Sequence, residues 1–470
     1  MKKDWFEVDT KGLAELQLGK PKIYVVRELI ANAWDEKITE CLVQLSFSDG
    51  KATIEVEDDC PEGFIDLKDS FTLFKHTSKR ADPNKRGRFN IGEKQAISIC
   101  DRATISTTKG TVIFDKDGRV VKGAKRIKGS KITIELKMLK FEFDELFEVE
   151  KYLVPAGINF LVNGRKIRYK EPYKIVDATL LTEKEDGNIL KKTLRKTQLF
   201  LHKANGGAKL YEMGIPVQKI DCQFDIDVQQ KVPLGIDRET VLPSFLKDVY
   251  AEVLNYTFDD VEKEGSSDLW VRTAISDERI NSDAVKGIIG KRYGEKVCIA
   301  NPFDKRSIDE AISRGFRVIY GSEMSSDEWD AVKKDGLIRS SSDLFGVSFV
   351  GAEVIDNLNS DQLAVKKLAE DIAKRILGLD LKVVFVKSEG ESACFDFENN
   401  VLSFNISRLG KNFFSPPISA KVIDLILHEL GHYQGRQHTE KSYHELLTQM
   451  AGKLIIIALE EPEFFNSEGN

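Results

Sequence analysis

The feature that most restricts the fold is one change of hydrophobic period near residue 40. Between Pro21 and about Thr39 the apolar residues Ile23, Val26, Leu29, Ile30 and Ala33 recur at helical spacing, with Pro21 where a helix start tolerates it. Beyond that point they alternate. Residues 42–47 and 52–57 flank Ser48-Asp49-Gly50, a tight-turn signal, and alternating runs at 104–107, 111–114, 119–121 and 131–136 continue the pattern. A helix followed by an antiparallel sheet predicts an α+β sandwich, in which the helix covers the sheet's apolar face.

Further along, the sequence predicts a helix at about 143–153. Strands follow at 159–162 and 166–169 around Asn163-Gly164-Arg165, opening a second α/β unit that runs to about 256. Residues 264–268 (Glu-Gly-Ser-Ser-Asp) read as a linker, and 297–300, 307–313 and 317–320 as a small β-α-β piece. A polar break at 339–343 precedes strands at 382–386 and within 393–407, then a long helix from about 418. The expected division is 1–140, 141–265, 266–343 and 344–470, a multidomain α+β chain without internal repeats.

With 41 % hydrophobic residues in 470, the chain can bury several cores and is no disordered tail. Its 70 Lys+Arg against 76 Asp+Glu give a formal charge of −6, which argues against a dedicated polyanion binder. The basic stretches 119–131 and 191–203 lack interleaved aromatics and read as solvated faces, which makes nucleic acid an unexpected partner. The opening residues lack the apolar core of a secretory leader and no apolar run is long enough to span a bilayer, so a cytoplasmic location is expected. Six cysteines (41, 60, 100, 222, 298 and 394) include no C-x-x-C pair, as expected for reduced thiols.

Two constellations carry chemistry. On the first helix Glu28 and Asn32 are one turn apart, and Asp35 is seven residues from Glu28 on the same face. That order suits a site where Asn32 helps hold Mg²⁺ against phosphates and Glu28 polarises an attacking water. Asp58 ends a strand before the turn Cys60-Pro61-Glu62-Gly63, and a buried Asp there can accept from an adenine amino group. The segment 74–80, with Thr77, then leads to Gly87, Asn90, Gly92 and Lys94, a glycine-containing loop opening a helix whose first N–H groups can cradle phosphates.

In this order and spacing the pieces resemble the GHKL ATPases, the superfamily of gyrase B, the ninety-kilodalton heat-shock chaperones, sensor histidine kinases and MutL. The N box is similar to residues 28–35, the D-x-G-x-G box to 58–63, the lid glycines to Gly87 and Gly92, and the last box to Gly129-Ser130. Two departures stand out: Cys60 replaces the first glycine with Gly63 one residue late, and Asn90 replaces a lid glycine. The resemblance implies a Bergerat-type α/β sandwich that binds ATP with Mg²⁺, closes a lid and pairs with a second copy. Residues 228–242 resemble the chaperones' middle domain, which implies Arg238 as the cation at the terminal phosphate, while Gln229-Gln230-Lys231 resembles the topoisomerases' Q-T-K and implies Lys231 instead. A sensor kinase is disfavoured because only about twenty residues precede the N box.

The second constellation is His428-Glu429-Leu430-Gly431-His432, followed by His438 and His444. On a helix His428 and His432 face the same way at a spacing Zn²⁺ bridges, and Glu429 is placed to take a proton from the attacking water. Gly435 lets the helix end so that His438 swings back as third ligand, with His444 as its rival. The apolar run 422–427 before the motif predicts a buried helix. This run resembles the minimal zincins of the SprT and WLM kind over roughly 393–454, which implies a metallopeptidase.

The expected function is an ATP-regulated zinc metalloprotease in which the ATPase part gates peptide hydrolysis. One alternative is a regulatory or chaperone-like ATPase whose zinc domain only binds a partner. Another is a MutL-like or topoisomerase-like DNA machine, for which no nuclease motif or catalytic-tyrosine segment is found.

Overall fold

The computed structural model describes residues 9–465 apart from 18, 76–77, 89, 185–188, 203–206, 235–239, 303–304, 335, 346–352, 389–390, 398, 435–437 and 439–440. Two compact units emerge, Met1–Val253 and Leu254–Asn470. Thr77 and Arg238 lie outside the described residues.

In the first unit an eight-stranded sheet carries the order β5-β4-β3-β6-β2-β1-β7-β8. Its strands are β1 Glu40–Ser48, β2 Lys51–Asp58, β3 Arg102–Thr107, β4 Gly110–Asp115, β5 Gly118–Lys122, β6 Lys131–Lys137, β7 Asn159–Val162 and β8 Arg165–Ile167. The β1–β2 hairpin closes through Asp49 (φ 52°) and Gly50 (φ 76°), with Ser48 opposite Lys51, as a two-residue loop matched to strand twist demands. Alternation then fixes the faces. Ala52, Ile54 and Val56 of β2 and Ile132, Ile134 and Leu136 of β6 are buried, and the same parity carries Asp58 and Ser130 inward.

The covering helix is Ile23–Trp34, shorter than the expected 21–39, and it buries Val25, Val26, Leu29, Ile30, Ala33 and Trp34. Truncating a residue such as Leu29 to alanine would cost about 2–5 kcal/mol. The helix stops where Asp35 turns its carboxylate to the loop at Arg86 and Gly87. The expected helix at 143–153 is instead a short α-helix Lys140–Glu145 followed by a 3₁₀ turn Leu146–Lys151.

The hairpin of β7 and β8, expected to open the second α/β unit, lengthens the first sheet instead, with β7 parallel to β1. Phe160 and Val162 of β7 join the core that contains Trp34, and that burial fixes the pairing. A five-stranded sheet follows, in the order β12-β11-β13-β10-β9. It comprises β9 Lys174–Lys184, β10 Ile189–Leu201, β11 Ala208–Glu212, β12 Ile215–Ile220 and β13 Phe224–Val228.

The second unit holds separate apolar cores. One gathers Val285, Ile289, Ile319, Met324, Val332 and Ile338, beside the parallel pair β14 Val297–Ile299 and β15 Arg317–Ile319. Another packs the helices Ser360–Ile372, Ala420–Gly431 and Lys441–Glu460 on the sheet β16-β17-β19-β18. These strands are Glu353–Val354, Lys382–Lys387, Val401–Asn405 and Ala393–Asp396 in that spatial order. The presumed linker 264–268 is a 3₁₀ turn, Glu264–Ser267, with Ser266 buried. The polar break at 339–343 starts the helix Ser341–Phe345. Among the described residues no helix is long and apolar enough to cross a membrane.

One turn in the first unit is sterically closed to any side chain. Gly214 has φ +91°, and a Cβ there would sit 2.1 Å from the Leu153 carbonyl oxygen. Gly214→Ala should therefore lower stability by at least about 2 kcal/mol, read as a fall in thermal midpoint. An unchanged midpoint would contradict this packing.

Candidate functional site

The first site is a cleft, open to solvent, between the covering helix and the inner end of the large sheet. The helix supplies Glu28 and Asn32, and the sheet supplies Asp58, Gly63 and Ser130. Loop residues Lys79, Lys85, Gly87, Arg88, Asn90 and Gly92 form the remaining wall. Thus Glu28, Asn32, Asp58, Gly63, Gly87 and Gly92 converge from segments far apart in sequence.

Asp58 sits at the buried end of β2. Cys60 N–H and Ser130 N–H both donate to its Oδ1, at 2.9 and 3.3 Å. Oδ2 then has no protein hydrogen bond among the described residues. Burial pushes the carboxyl up to about 6, against the downward pull of those two N–H groups. Gly129 makes the arrangement possible, since at φ +70° a Cβ there would lie 1.9 Å from the Asp58 carbonyl oxygen. The two departures from the GHKL pattern fit the backbone. Gly63 (φ +58°) and Asn90 (φ +53°) occupy the left-handed conformation, and Cys60 is not among the positive-φ residues.

Asn32 Nδ2 donates to Glu93 Oε2 at 3.3 Å, which leaves the amide oxygen as the atom for a cation. Glu28 lies against Arg27 at 3.6 Å. Lys79 is ion-paired with Glu36, and although burial pulls its ammonium down, the Asp35 and Glu36 carboxylates hold it above the ordinary lysine value.

Three expected ligands lie outside the cleft lining. Asp35 is buried, with Oδ1 accepting from Arg86 N and Nη1 at 2.9 Å and Oδ2 from Gly87 N at 2.8 Å. Lys94 Nζ is taken by Glu93 at 2.7 Å and Asn90 at 3.0 Å. The ammonium of Lys231, fully buried, donates to the carbonyls of Lys79, Arg80 and Gly87 at 3.0, 2.8 and 3.1 Å. In this conformation Lys231 and Asp35 hold the loop wall, and neither reaches into the cleft. Arg86, Lys79 and Glu93 were missed in sequence because they form no spaced pattern.

The second site is built on the helix Ala420–Gly431. His428, in its last turn, and His432, just past it, meet His438, all three offering nitrogens within 4.8 Å of one another. His438 Nε2 lies 2.9 Å from His432 Nε2 and 3.0 Å from His428 Nε2. A tetrahedral zinc with bonds of about 2.0–2.1 Å spaces its nitrogens about 3.4 Å apart, so a few tenths of an ångström of opening accommodates it. Burial pushes the His428 imidazole down to about 4 and His438 further, aided by the neighbouring rings, which leaves neutral nitrogens suited to a cation.

Tyr443 hydroxyl donates to the His428 carbonyl at 3.1 Å and lies 2.9 Å from His428 Nδ1. A His428 Nδ1–H donating to that oxygen turns the Nε2 lone pair into the cluster. Gly431 is what admits the ring, since a Cβ there would fall 2.6 Å from Tyr443. Glu429 is buried; loss of solvent and the Glu391 charge raise its carboxyl to about 8, opposed by a hydrogen bond from the Phe395 backbone. His444, the rival ligand, is outside the cluster, and its Nε2 is buried without a hydrogen-bond partner among the described residues.

No protein-family model and no curated protein matches the chain. A solved structure of the ATPase region of Saccharomyces cerevisiae topoisomerase II bound to ICRF-187 (dexrazoxane) is similar at 11 % identity and a TM-score of 0.30. The match covers 42 % of this chain and 62 % of that one, so the chain spans under two thirds of the structure's length. A likeness at that level does not define a fold.

Asp58 gives a stability prediction with a fixed sign. Its folded-state value is raised, so its favourable contribution is present below about pH 4 and lost as pH rises through about 6. Asp58→Asn, which keeps an acceptor for Cys60 and Ser130, should be more stable than wild type at pH 7 by up to about 2–3 kcal/mol. The gain should vanish near pH 3.5 in denaturant titrations, and equal stabilities at pH 7 would contradict the buried carboxylate.

Proposed function

We propose that the chain is an ATP-dependent hydrolase with two chemical centres. A GHKL-type cleft in the first unit binds ATP with Mg²⁺, a histidine-held zinc site in the second hydrolyses peptide bonds, and nucleotide gates the peptidase. The observation that carries the reading is the convergence of His428, His432 and His438, with the buried Glu429 next in sequence to His428. The clustering of Glu28, Asn32 and Asp58 in one cleft supports the nucleotide half.

In the cleft, Asp58 Oδ2 accepts from the adenine amino group and Ser130 holds Asp58 in place. Asn32 offers its amide oxygen to Mg²⁺, and Glu28 takes the proton of the water that attacks the terminal phosphate. Gly63, Gly87 and Gly92 let backbone approach the nucleotide, while Lys85 supplies positive potential at the wall. Thr77, Lys94, Lys231 and Arg238 are assigned to a closed, nucleotide-bound conformation, with Arg238 or Lys231 facing the terminal phosphate.

A zinc ion held by the three histidines would supply Lewis-acid polarisation of a peptide carbonyl. Glu429 takes the proton of the attacking water and delivers it to the leaving amine. Tyr443 orients His428. The proposed partners are ATP, a protein substrate and a second copy of the chain in the nucleotide-bound state.

Glu28→Ala should bind ATP by calorimetry yet lose turnover by at least about 100-fold. A wild-type protein that binds no ATP in millimolar Mg²⁺ would end the nucleotide reading. Elemental analysis should give about one zinc per chain, lost in the double variant His428→Ala, His432→Ala. Cleavage of a protein mixture should require Glu429 and differ between no nucleotide, ATP and a non-hydrolysable analogue. Zinc binding without cleavage would leave the partner-binding domain, and nucleotide-independent cleavage, equal in Arg238→Ala, would remove the gating. A mobility shift at moderate salt would instead favour the DNA machine.

A further inference from the structure

We propose that the histidine site is completed from outside its own motif. Ser340 and Asp343, at the start of the helix Ser341–Phe345, fix His438 in the orientation and tautomer that a cation requires. Asp343 is then a positioning residue of the site. This rests on the reading of the three histidines as cation ligands, and it concerns a segment that looks in sequence like an interdomain break.

The ring of His438 is addressed from both sides. Its Nε2 points at His428 and His432, while its Nδ1 lies 3.4 Å from Ser340 Oγ and 4.0 Å from Asp343 Oδ1. Asp343 is held in turn. Its Oδ2 accepts from Ser340 N at 2.9 Å and its own N–H donates to Ser340 Oγ at 3.1 Å, a reciprocal cap that leaves Oδ1 toward the imidazole. Both side chains are largely shielded, with 18 % of His438 and 13 % of Asp343 exposed.

With Nδ1–H directed at Ser340 and Asp343, the lone pair is on Nε2, where the cluster needs it. A carboxylate behind the ring also raises the basicity of the ligating nitrogen and offsets part of a divalent charge. Tyr443 does the same orienting work for His428 from within the motif. His438 has more need of such support, because His428 is fixed by the helix that carries it and His438 stands beyond the helix end.

The support is itself anchored. Ser340 forms a parallel bridge with Ile299, whose N–H donates to the Arg339 carbonyl at 3.0 Å, so the segment continues the β14–β15 ladder. The small β-α-β piece, which shows no chemistry of its own in sequence, thereby contributes the rear wall of the site.

Asp343→Asn separates positioning from folding. Ser340 is the cap and Asp343 the third helical residue, whose oxygen closes the capping box; an asparagine there keeps that acceptor, and with its Oδ1 on Ser340 N it would turn an NH₂ toward His438, setting donor against donor. In the purified full chain, zinc affinity measured against a chromophoric chelator should fall about 10–100-fold. The visible bands of the Co²⁺-loaded protein should shift, and the thermal midpoint of the metal-free protein should stay at the wild-type value. Asp343→Ala, which removes the capping-box acceptor and the carboxylate together, should lower both affinity and midpoint. Wild-type zinc affinity and Co²⁺ bands in Asp343→Asn would overturn this inference and leave the metal site standing. A wild-type chain that binds neither ion would overturn the metal reading and this inference with it.

Discussion

The first unit depends on how it neutralises buried cations. One wall of the cleft is loop 79–91, which has little regular structure to hold it. Arg86 runs into the Asp35 carboxylate and reaches the carbonyls of Glu212 and Met213. Arg88 pairs with Glu212, and Lys231 donates to three carbonyls of the loop. An uncompensated buried charge is expensive by several kcal/mol, so small displacements of this wall are penalised and a whole alternative pairing is the favoured way to move it. Lys231 cannot hold Lys79, Arg80 and Gly87 and also meet a phosphate. If it turns to a nucleotide, the wall is released in the same step, which is the kind of two-state contact a switch needs.

Both sites carry groups that would be more stable elsewhere. Asp58 keeps a carboxylate at the buried end of a strand, and three imidazoles crowd together, with His438 within hydrogen-bonding reach of both His428 and His432. Neither arrangement helps the chain fold. Local conflict of this kind, set inside well-packed surroundings, is where function is expected to override stability. The supporting groups are ordinary by comparison: backbone N–H groups for Asp58, a tyrosine hydroxyl for His428 and a helix cap for His438.

Much of the fold was legible because it is written in period and turn chemistry. The helix at Ile23–Trp34, the Asp49-Gly50 hairpin, β3 to β6 and the helix bearing His428 all follow from local patterns. The parallel pairing of β7 with β1 was not legible, since a four-residue strand has no mark of which sheet edge it will join. Glu28, Asn32, Asp58 and the three histidines could be named because chemistry constrains their spacing. Arg86, Lys79, Ser340 and Asp343 could not, because each acts across a long sequence separation and sits in a stretch whose composition is ordinary for a polar loop. The serine run before Asp343 reads as a linker for the same composition that makes it a good helix cap.

The departures from the GHKL pattern show what such a pattern encodes. A glycine in a motif stands for a backbone angle or for missing volume, and the two requirements relax differently. Asn90 meets the first, since asparagine tolerates the left-handed region better than other side chains, and its amide also donates to the Thr72 carbonyl at 2.8 Å. Cys60 needs neither. Its backbone angle is ordinary, its N–H serves Asp58, and its carbonyl accepts from Gly63 and Gly129. Gly129 meets the second requirement without any slack, because the Asp58 carbonyl occupies the space a side chain would need. A comparison by motif column would count Cys60 and Asn90 as losses, whereas a comparison by backbone angle and contact keeps the turn around Asp58 intact. The turn around Asp58 is thus held by backbone angle and contact rather than by a fixed lettering.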